Sequence, residues 1–151
     1  MGLELRPWTQ DLRPKMYETF EHTADVGIRV RAAGLAEVFA EAARAMFSLV
    51  VVNLDDVRAS QSAAISLEAE EPDALLRLWL AELLYTFCVR RLVFARFEVA
   101  VRPGGLTATA WGEPIDPARH HLDVEIKAIT WHGLKLEHHA DGWLAEVIVD
   151  I

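Results

Sequence analysis

The feature that most constrains the fold is a change of hydrophobic period along the chain. Val26, Ile28 and Val30 alternate with small or charged residues, which is the period of a strand with one buried face. From Leu35 to Val50, apolar residues recur instead at spacings of three and four, which predicts an amphipathic helix. Both kinds of element are therefore expected in one chain.

A second helix is predicted from Glu71-Pro72-Asp73, because proline favours the first helical turn and acidic side chains suit the positive end of the helix dipole. The helix continues through LLRLWLAELLYTFCVR and is apolar around most of its circumference. We therefore expect it to be the central, buried helix. Cys88 lies within it, and an inert buried thiol is the prediction there.

The remaining segments read as strands with turns between them. Alternation predicts strands over Tyr17 to Glu21, Ile65 to Ala69, Phe97 to Val101, LTATAW, DVEIKAITWHG, LKLEHH and WLAEVIVDI. With no repeats and no linker, the chain is predicted to be one α+β domain over residues 16–151, with two helices packed on one face of a mainly antiparallel β-sheet. Residues 1–15 are predicted to be an N-terminal extension.

Composition limits the classes of partner. The chain has 15 Lys and Arg against 23 Asp and Glu, a net charge of −8. Such a chain repels phosphates on average, so direct binding of nucleic acid is disfavoured, whereas a basic protein partner is compatible. We see no apolar run long enough to span a membrane and no signal-peptide pattern, and a single cysteine suits a reducing compartment, so a cytoplasmic protein is expected.

The link HTAD, at positions 22–25, joins the first two predicted strands and raises a question of function. Asp25 can satisfy backbone amides in a tight turn, as Asx residues commonly do. Alternatively, His22 and Asp25 belong to a site. The four residues alone do not decide between these interpretations.

A second candidate lies at the end of WLAEVIVDI, where Asp150 is followed by the α-carboxylate of Ile151. Two anionic oxygen donors on a strand end suit a hard cation such as Ca²⁺ or Mg²⁺. The alternative is an acidic terminus that contacts only water. Lys127, which alternation places on one strand face with Asp123 and Glu125, is either a solubilising residue or a neutraliser of a carboxylate cluster.

The sequence contains none of the common catalytic, metal-binding or nucleotide-binding motifs. The chain has no HExxH, CxxC, GxSxG, P-loop or GxGxxG pattern. The adjacent histidine pairs, His120-His121 and His138-His139, would point to opposite faces of a strand and cannot form a bidentate site by themselves. A zinc site is therefore not expected.

The ordered set of segments resembles the archease family. The segments are FEHTADVGIRVRA, GLAEVFAEAARAMFSLV, the Leu- and Trp-rich helix after Pro72, WGEPIDPARHHLDVEIKAITWHGLKLE and the closing GWLAEVIVDI. They cover approximately residues 16–151 in family order and spacing. Each segment alone is a weak signal, whereas the ordered set is specific.

This resemblance implies a non-catalytic activator of the RtcB-type RNA ligase, which promotes guanylylation of the ligase and its multiple turnover in tRNA splicing and RNA repair. It also implies a divalent-metal site, usually holding Ca²⁺, with Mg²⁺ and Mn²⁺ as the other candidates. The ligands fall by motif on Asp25, Asp150 and the carboxylate of Ile151. Lys127 matches a basic residue important for activation, and His22 belongs to the same signature.

Two other functions remain open beside that one. A metal-dependent phosphoester hydrolase could use Asp25, His22 and Asp150 around a bound water. A chaperone-like binding module would need no metal.

Overall fold

The computed structural model describes residues 16–22 and 25–151, so the predicted extension over residues 1–15 lies outside the described residues. Two α-helices and eight strands occur in this part of the chain. In chain order they are β1 (Tyr17–His22), β2 (Asp25–Ala32), α1 (Leu35–Val50), β3 (Gln61–Glu68), α2 (Pro72–Arg90), β4 (Leu92–Arg102), β5 (Gly105–Pro114), β6 (Ala128–Ile129), β7 (Lys135–His139) and β8 (Gly142–Asp150), with a short 3-10 helix at Leu54–Asp56.

The strands are entirely antiparallel and divide between two sheets. One sheet has the order β1-β2-β8-β6, with β7 also pairing with β8, and the other has the order β3-β5-β4. The predicted α+β class, with two helices and antiparallel strands, is confirmed. The division into two sheets was not predicted, because alternation within a strand does not identify its partner.

Helix α1 lies between the two sheets, and α2 packs beside it. The apolar side of α1 contacts β2 of the first sheet and β4 of the second. Trp79 in α2 donates its indole N–H to the carbonyl of Phe39 in α1 at 2.9 Å. Further along both helices, the rings of Phe47 and Phe87 pack edge to face, with their centres 6.3 Å apart. Because both contacts advance together along the chain, the two helices run in the same direction.

The prediction that α2 is the central buried helix is wrong. The central helix is α1, which both sheets cover, whereas α2 leaves one side open. On that side Tyr85 is 63% exposed and Val89 is 59% exposed. Cys88, one turn after Tyr85, is exposed as well, so the predicted buried thiol is also wrong. A helix that is apolar around its circumference is fully buried only where other elements pack on all of its sides. Among the described residues, no element packs on the side of α2 that carries Tyr85 and Val89.

The predicted strand from Asp123 onward is mostly irregular, and only Ala128–Ile129 forms a strand. The preceding residues meet the end of α1 instead of a strand. The amides of Asp123 and Val124 donate to the carbonyls of Val50 and Leu49, at 2.9 and 3.0 Å. The last carbonyls of a helix have no partner within the helix, and this segment supplies it. Across the described residues, neither helix is long and apolar enough to cross a bilayer.

Candidate functional site

Three strands of the first sheet meet at Asp150. In the antiparallel pair of β2 and β8, Asp25 is directly opposite Asp150. On the other side of β8, Ala128 is opposite Asp150. The amide of Lys127 donates to the Asp150 carbonyl at 2.7 Å. The sheet therefore brings Asp25, Asp150 and the Lys127 backbone to one edge, which we call the carboxylate edge.

The register also settles which face the two aspartates occupy. Directly opposite residues of an antiparallel pair point to the same face, with Cβ atoms about 4.5–5.5 Å apart. The neighbouring pair, Val26 and Val149, is buried in the core at 3% and 0% exposure. Asp25 and Asp150 consequently lie on the outer face, where both are half-buried. The next residue is Ile151, which carries the α-carboxylate and is 37% exposed.

Of the other predicted site residues, Lys127 is exposed and His22 pairs with Asp25 through the backbone at the end of β1. The His22 side chain lies outside the described part of the structure, as do residues 23 and 24, so its role stays a prediction.

The donor set at this edge suits a hard cation. Two side-chain carboxylates and the chain terminus offer oxygen atoms alone, which is the chemistry that Ca²⁺ and Mg²⁺ prefer. The carboxylates of Asp25 and Asp150, directly opposite each other, would repel one another without a compensating charge. The described residues contain no cluster of three His, Cys, Asp or Glu side chains that could hold a metal ion. A cation here would therefore depend on the terminal carboxylate as its third protein donor.

An ion-pair network supports the outer face next to this edge. Arg29 in β2 donates to Glu146 in β8 at 2.7 Å and to Glu18 in β1 at 2.5 Å. These hydrogen bonds, the one to Glu146 foremost, raise the pKa of Arg29 above its ordinary value. Because each contact crosses to a different strand, Arg29 ties β1, β2 and β8 together in the register that places the two aspartates opposite each other.

A second polar cluster lies where β5 ends and the long connection to β6 begins, and it was not predicted from the sequence. We call Glu113, Arg119 and His120 the Glu113 cluster. One carboxylate oxygen of Glu113 accepts from Arg119 at 2.9 Å. The other oxygen accepts from the amide of Arg58 at 2.8 Å and lies 2.9 Å from Nε2 of His120.

Hydrogen bonding explains the electrostatics of this cluster. The bond from Arg119 contributes most, with the Arg58 amide and His120 adding to it, and together they lower the pKa of Glu113 to about 2, against the opposing effect of burial. In the sequence, the signal for this cluster was an acid, an arginine and a histidine within eight residues around Pro114 and Pro117. That composition is also ordinary for a solvated loop, so it did not stand out.

Sequence comparison matches this chain to a single protein family. A sequence profile of the Archease protein family (MTH1598/TM1083) matches residues 17–151. Protein archease of Pyrococcus abyssi is 39% identical over 142 residues, covering 91% of this chain and 99% of that protein. Protein archease of Methanosarcina acetivorans is 41% identical over 142 residues, covering 91% and 97%.

A solved structure agrees with these sequence matches. The solution structure of Methanobacterium thermoautotrophicum protein 1598 superposes with a TM-score of 0.77 at 31% sequence identity, covering 91% of this chain and all of that one. This chain, with its two sheets and two helices, therefore has the same fold as that protein.

Proposed function

The chain belongs to the archease family, and from this we propose that it is a non-catalytic activator of an RtcB-type RNA ligase. In this proposal it promotes guanylylation and repeated turnover of the ligase in tRNA splicing and RNA repair, in the cytoplasm. It does so through a divalent cation, Ca²⁺ in the first place, at the carboxylate edge.

The observation that carries the proposal is the direct opposition of Asp25 and Asp150 in the β2–β8 register. A pair of aspartates facing each other on adjacent strands is destabilising on its own, because like charges repel. Such an arrangement is readily understood when a cation offsets the repulsion. When bound, the cation supplies a fixed positive centre on the outer face of the sheet.

In this proposal, some residues at the carboxylate edge bind the cation and Lys127 contacts the partner. Asp25, Asp150 and the Ile151 carboxylate hold the ion, and the β2–β8 ladder fixes the spacing of the two aspartates. Lys127 is held beside them by the hydrogen bond from its amide to Asp150, and its exposed side chain is available to a partner. The net charge of −8 favours a protein that acts on the ligase rather than on the RNA.

The decisive experiment measures guanylylation of the cognate ligase with GTP and Mn²⁺, with and without this protein. We expect a faster rate and more turnovers in its presence. The Lys127→Ala variant is expected to lose most of the stimulation while retaining its fold, because the Lys127 contact seen in the structure is made by its backbone. Unchanged ligase kinetics with the wild-type protein would remove the proposal.

Metal binding is tested separately by calorimetry with Ca²⁺. Asp150→Ala and a chain lacking Ile151 are both expected to lose most of their affinity, about tenfold or more, because each removes one of the three carboxylates from its position. Glu98→Ala, an exposed carboxylate on β4 of the other sheet, is the matched control and should bind like wild type. Undiminished binding by Asp150→Ala would exclude Asp150 from the site.

The same protein preparations distinguish the two alternatives. A metal-dependent hydrolase using Asp25, His22 and Asp150 would turn over a phosphoester without the ligase. A chaperone-like module would bind many unrelated clients and would be insensitive to a chelator. Our proposal expects neither result.

A further inference from the structure

His120 is buried to a degree that the proposed cation site does not explain. It is 1% exposed, and both of its ring nitrogens are engaged. Nδ1 accepts the amide N–H of Asp116 at 2.9 Å, and Nε2 lies 2.9 Å from Glu113. Because Nδ1 is an acceptor, the hydrogen bonds assign the proton to Nε2, which donates to the carboxylate. His120 thereby holds the first residues of the long connection against the end of β5.

From His120 the connection runs to Lys127 along the end of α1. His121 exchanges hydrogen bonds with this end, since its amide donates to the side-chain oxygen of Asn53 and its carbonyl accepts from Val52, both at 2.8 Å. The amides of Asp123 and Val124 then bind the last carbonyls of α1, and Ile126 is buried at 5% exposure. The next residue is Lys127, bound to Asp150.

Between its two ends the segment has little regular pairing. Residues 115–127 form no strand, and the one bridge in this range joins Leu122 to Val51. A segment without a ladder has no repeating register to fix its position along a neighbour. Its placement therefore depends on individual hydrogen bonds, which come from the Glu113 cluster at its start, from the end of α1 in its middle and from Asp150 at its end.

We propose that His120 and Glu113 are positioning residues for Lys127. By fixing where the segment crosses the end of α1, they determine that Lys127 reaches the carboxylate edge. The structural part of this inference concerns the segment alone, and its consequence for ligase activation rests on the proposed function. Neither residue is placed in contact with the cation or the ligase.

Amide hydrogen exchange tests the structural part without any ligase. His120→Leu removes both ring hydrogen bonds, and His120→Gln retains a donor near the position of Nε2. We expect exchange at Asp123, Val124 and Lys127 to become about tenfold faster or more in His120→Leu, with partial recovery in His120→Gln. Amides in the β2–β8 ladder should keep their wild-type rates.

Trp79→Phe is the matched control, because it removes a buried hydrogen bond between the helices without touching the segment. It should leave the three segment amides at wild-type rates relative to the rest of the chain. If His120→Leu instead accelerates exchange equally in β2 and β8, or leaves Lys127 unchanged, the positioning role is overturned. If His120→Leu does not fold, the same comparison is made with His120→Gln alone.

The functional part is tested by combining variants in the guanylylation assay. His120→Gln should reduce stimulation in the wild-type background and have no additional effect in Lys127→Ala, because both changes then act through one residue. Independent, additive losses would contradict a role through Lys127. If the wild-type protein gives no stimulation, the proposed function fails, while the exchange result still decides whether His120 and Glu113 position the segment.

Discussion

Gly27 lies directly beneath the phenyl ring of Phe20 on the outer face of the first sheet. A Cβ atom at position 27 would come within 2.0 Å of Cζ of Phe20, and the Arg29 guanidinium covers the ring with Cζ 4.7 Å from the ring centre. We expect Gly27→Ala to lower the free energy of unfolding by about 1–3 kcal/mol, because the ring must leave its position between glycine and arginine. Chemical denaturation measures this change.

The cause can be isolated with a second substitution at the ring. In a Phe20→Ala background the space above position 27 is open, so Gly27→Ala should there cost a small fraction of its wild-type effect. An equal cost in both backgrounds would show that the backbone of β2, and not the ring, requires glycine. Because Gly27 is two residues from Asp25, this contact also bears on how precisely the first aspartate is held.

At the level of single residues, the family resemblance linked the two aspartates, whereas nothing in the sequence indicated the Glu113 cluster. Asp25 lies at the start of one alternating strand and Asp150 at the end of another, so their meeting requires only that these strands pair antiparallel. Glu113 lies near the end of β5, but His120 lies in the irregular connection that follows, where no period relates sequence separation to distance. Their contact became visible only when the course of that connection was known.

At the level of elements, the two helices show what amphipathicity can and cannot predict. The three-four spacing of α1 correctly predicted its bounds, Leu35–Val50. The nearly uniform apolarity of α2 correctly predicted a helix but gave the wrong burial, because the pattern of one element does not reveal how many neighbours surround it. Tyr85, Cys88 and Val89 remain exposed for that reason.

The connection before β6 shows the complementary error. Alternation from Asp123 to Ile129 resembles a strand, and the alternate residues Val124 and Ile126 do turn toward the protein. The backbone amides of Asp123 and Val124, however, bind the last carbonyls of α1 rather than a neighbouring strand. Alternation with a period of two predicts which side chains are buried, but it does not predict the hydrogen-bond partners of the backbone.

For the whole molecule, the division of strands into two sheets places α1 where each sheet buries one of its sides. The cluster of aromatic rings that includes Phe47, Phe94 and Phe97 joins α1 to the second sheet, with ring centres 5.8 to 6.4 Å apart. The helix thereby packs against the inner face of the first sheet, and the carboxylate edge lies on the opposite face. No local pattern in the sequence specifies this division, because it depends on pairings between distant segments.

The Glu113 cluster also gives the molecule a specific response to acid. Glu113 binds groups from two distant segments, the amide of Arg58 and the side chains of Arg119 and His120. Its pKa is about 2 in the folded protein, below the ordinary value of 4.5. A carboxylate with a lowered pKa stabilises the fold above its unfolded-state pKa. That stabilisation is lost as the pH falls from about 4.5 toward 2, and its full size is about 3 kcal/mol.

Chemical denaturation as a function of pH measures this contribution. Glu113→Gln should be less stable than wild type at about pH 7, and the difference should shrink as the pH falls toward 2 because the wild-type carboxylate becomes protonated. Glu98→Gln, whose side chain is 67% exposed, is the control and should follow the wild-type curve at every pH. If the curves of Glu113→Gln and wild type stay parallel below about pH 4.5, the charged state of Glu113 does not contribute to stability as the geometry indicates. The connection that leads to Lys127 would then be held chiefly by its contacts with α1.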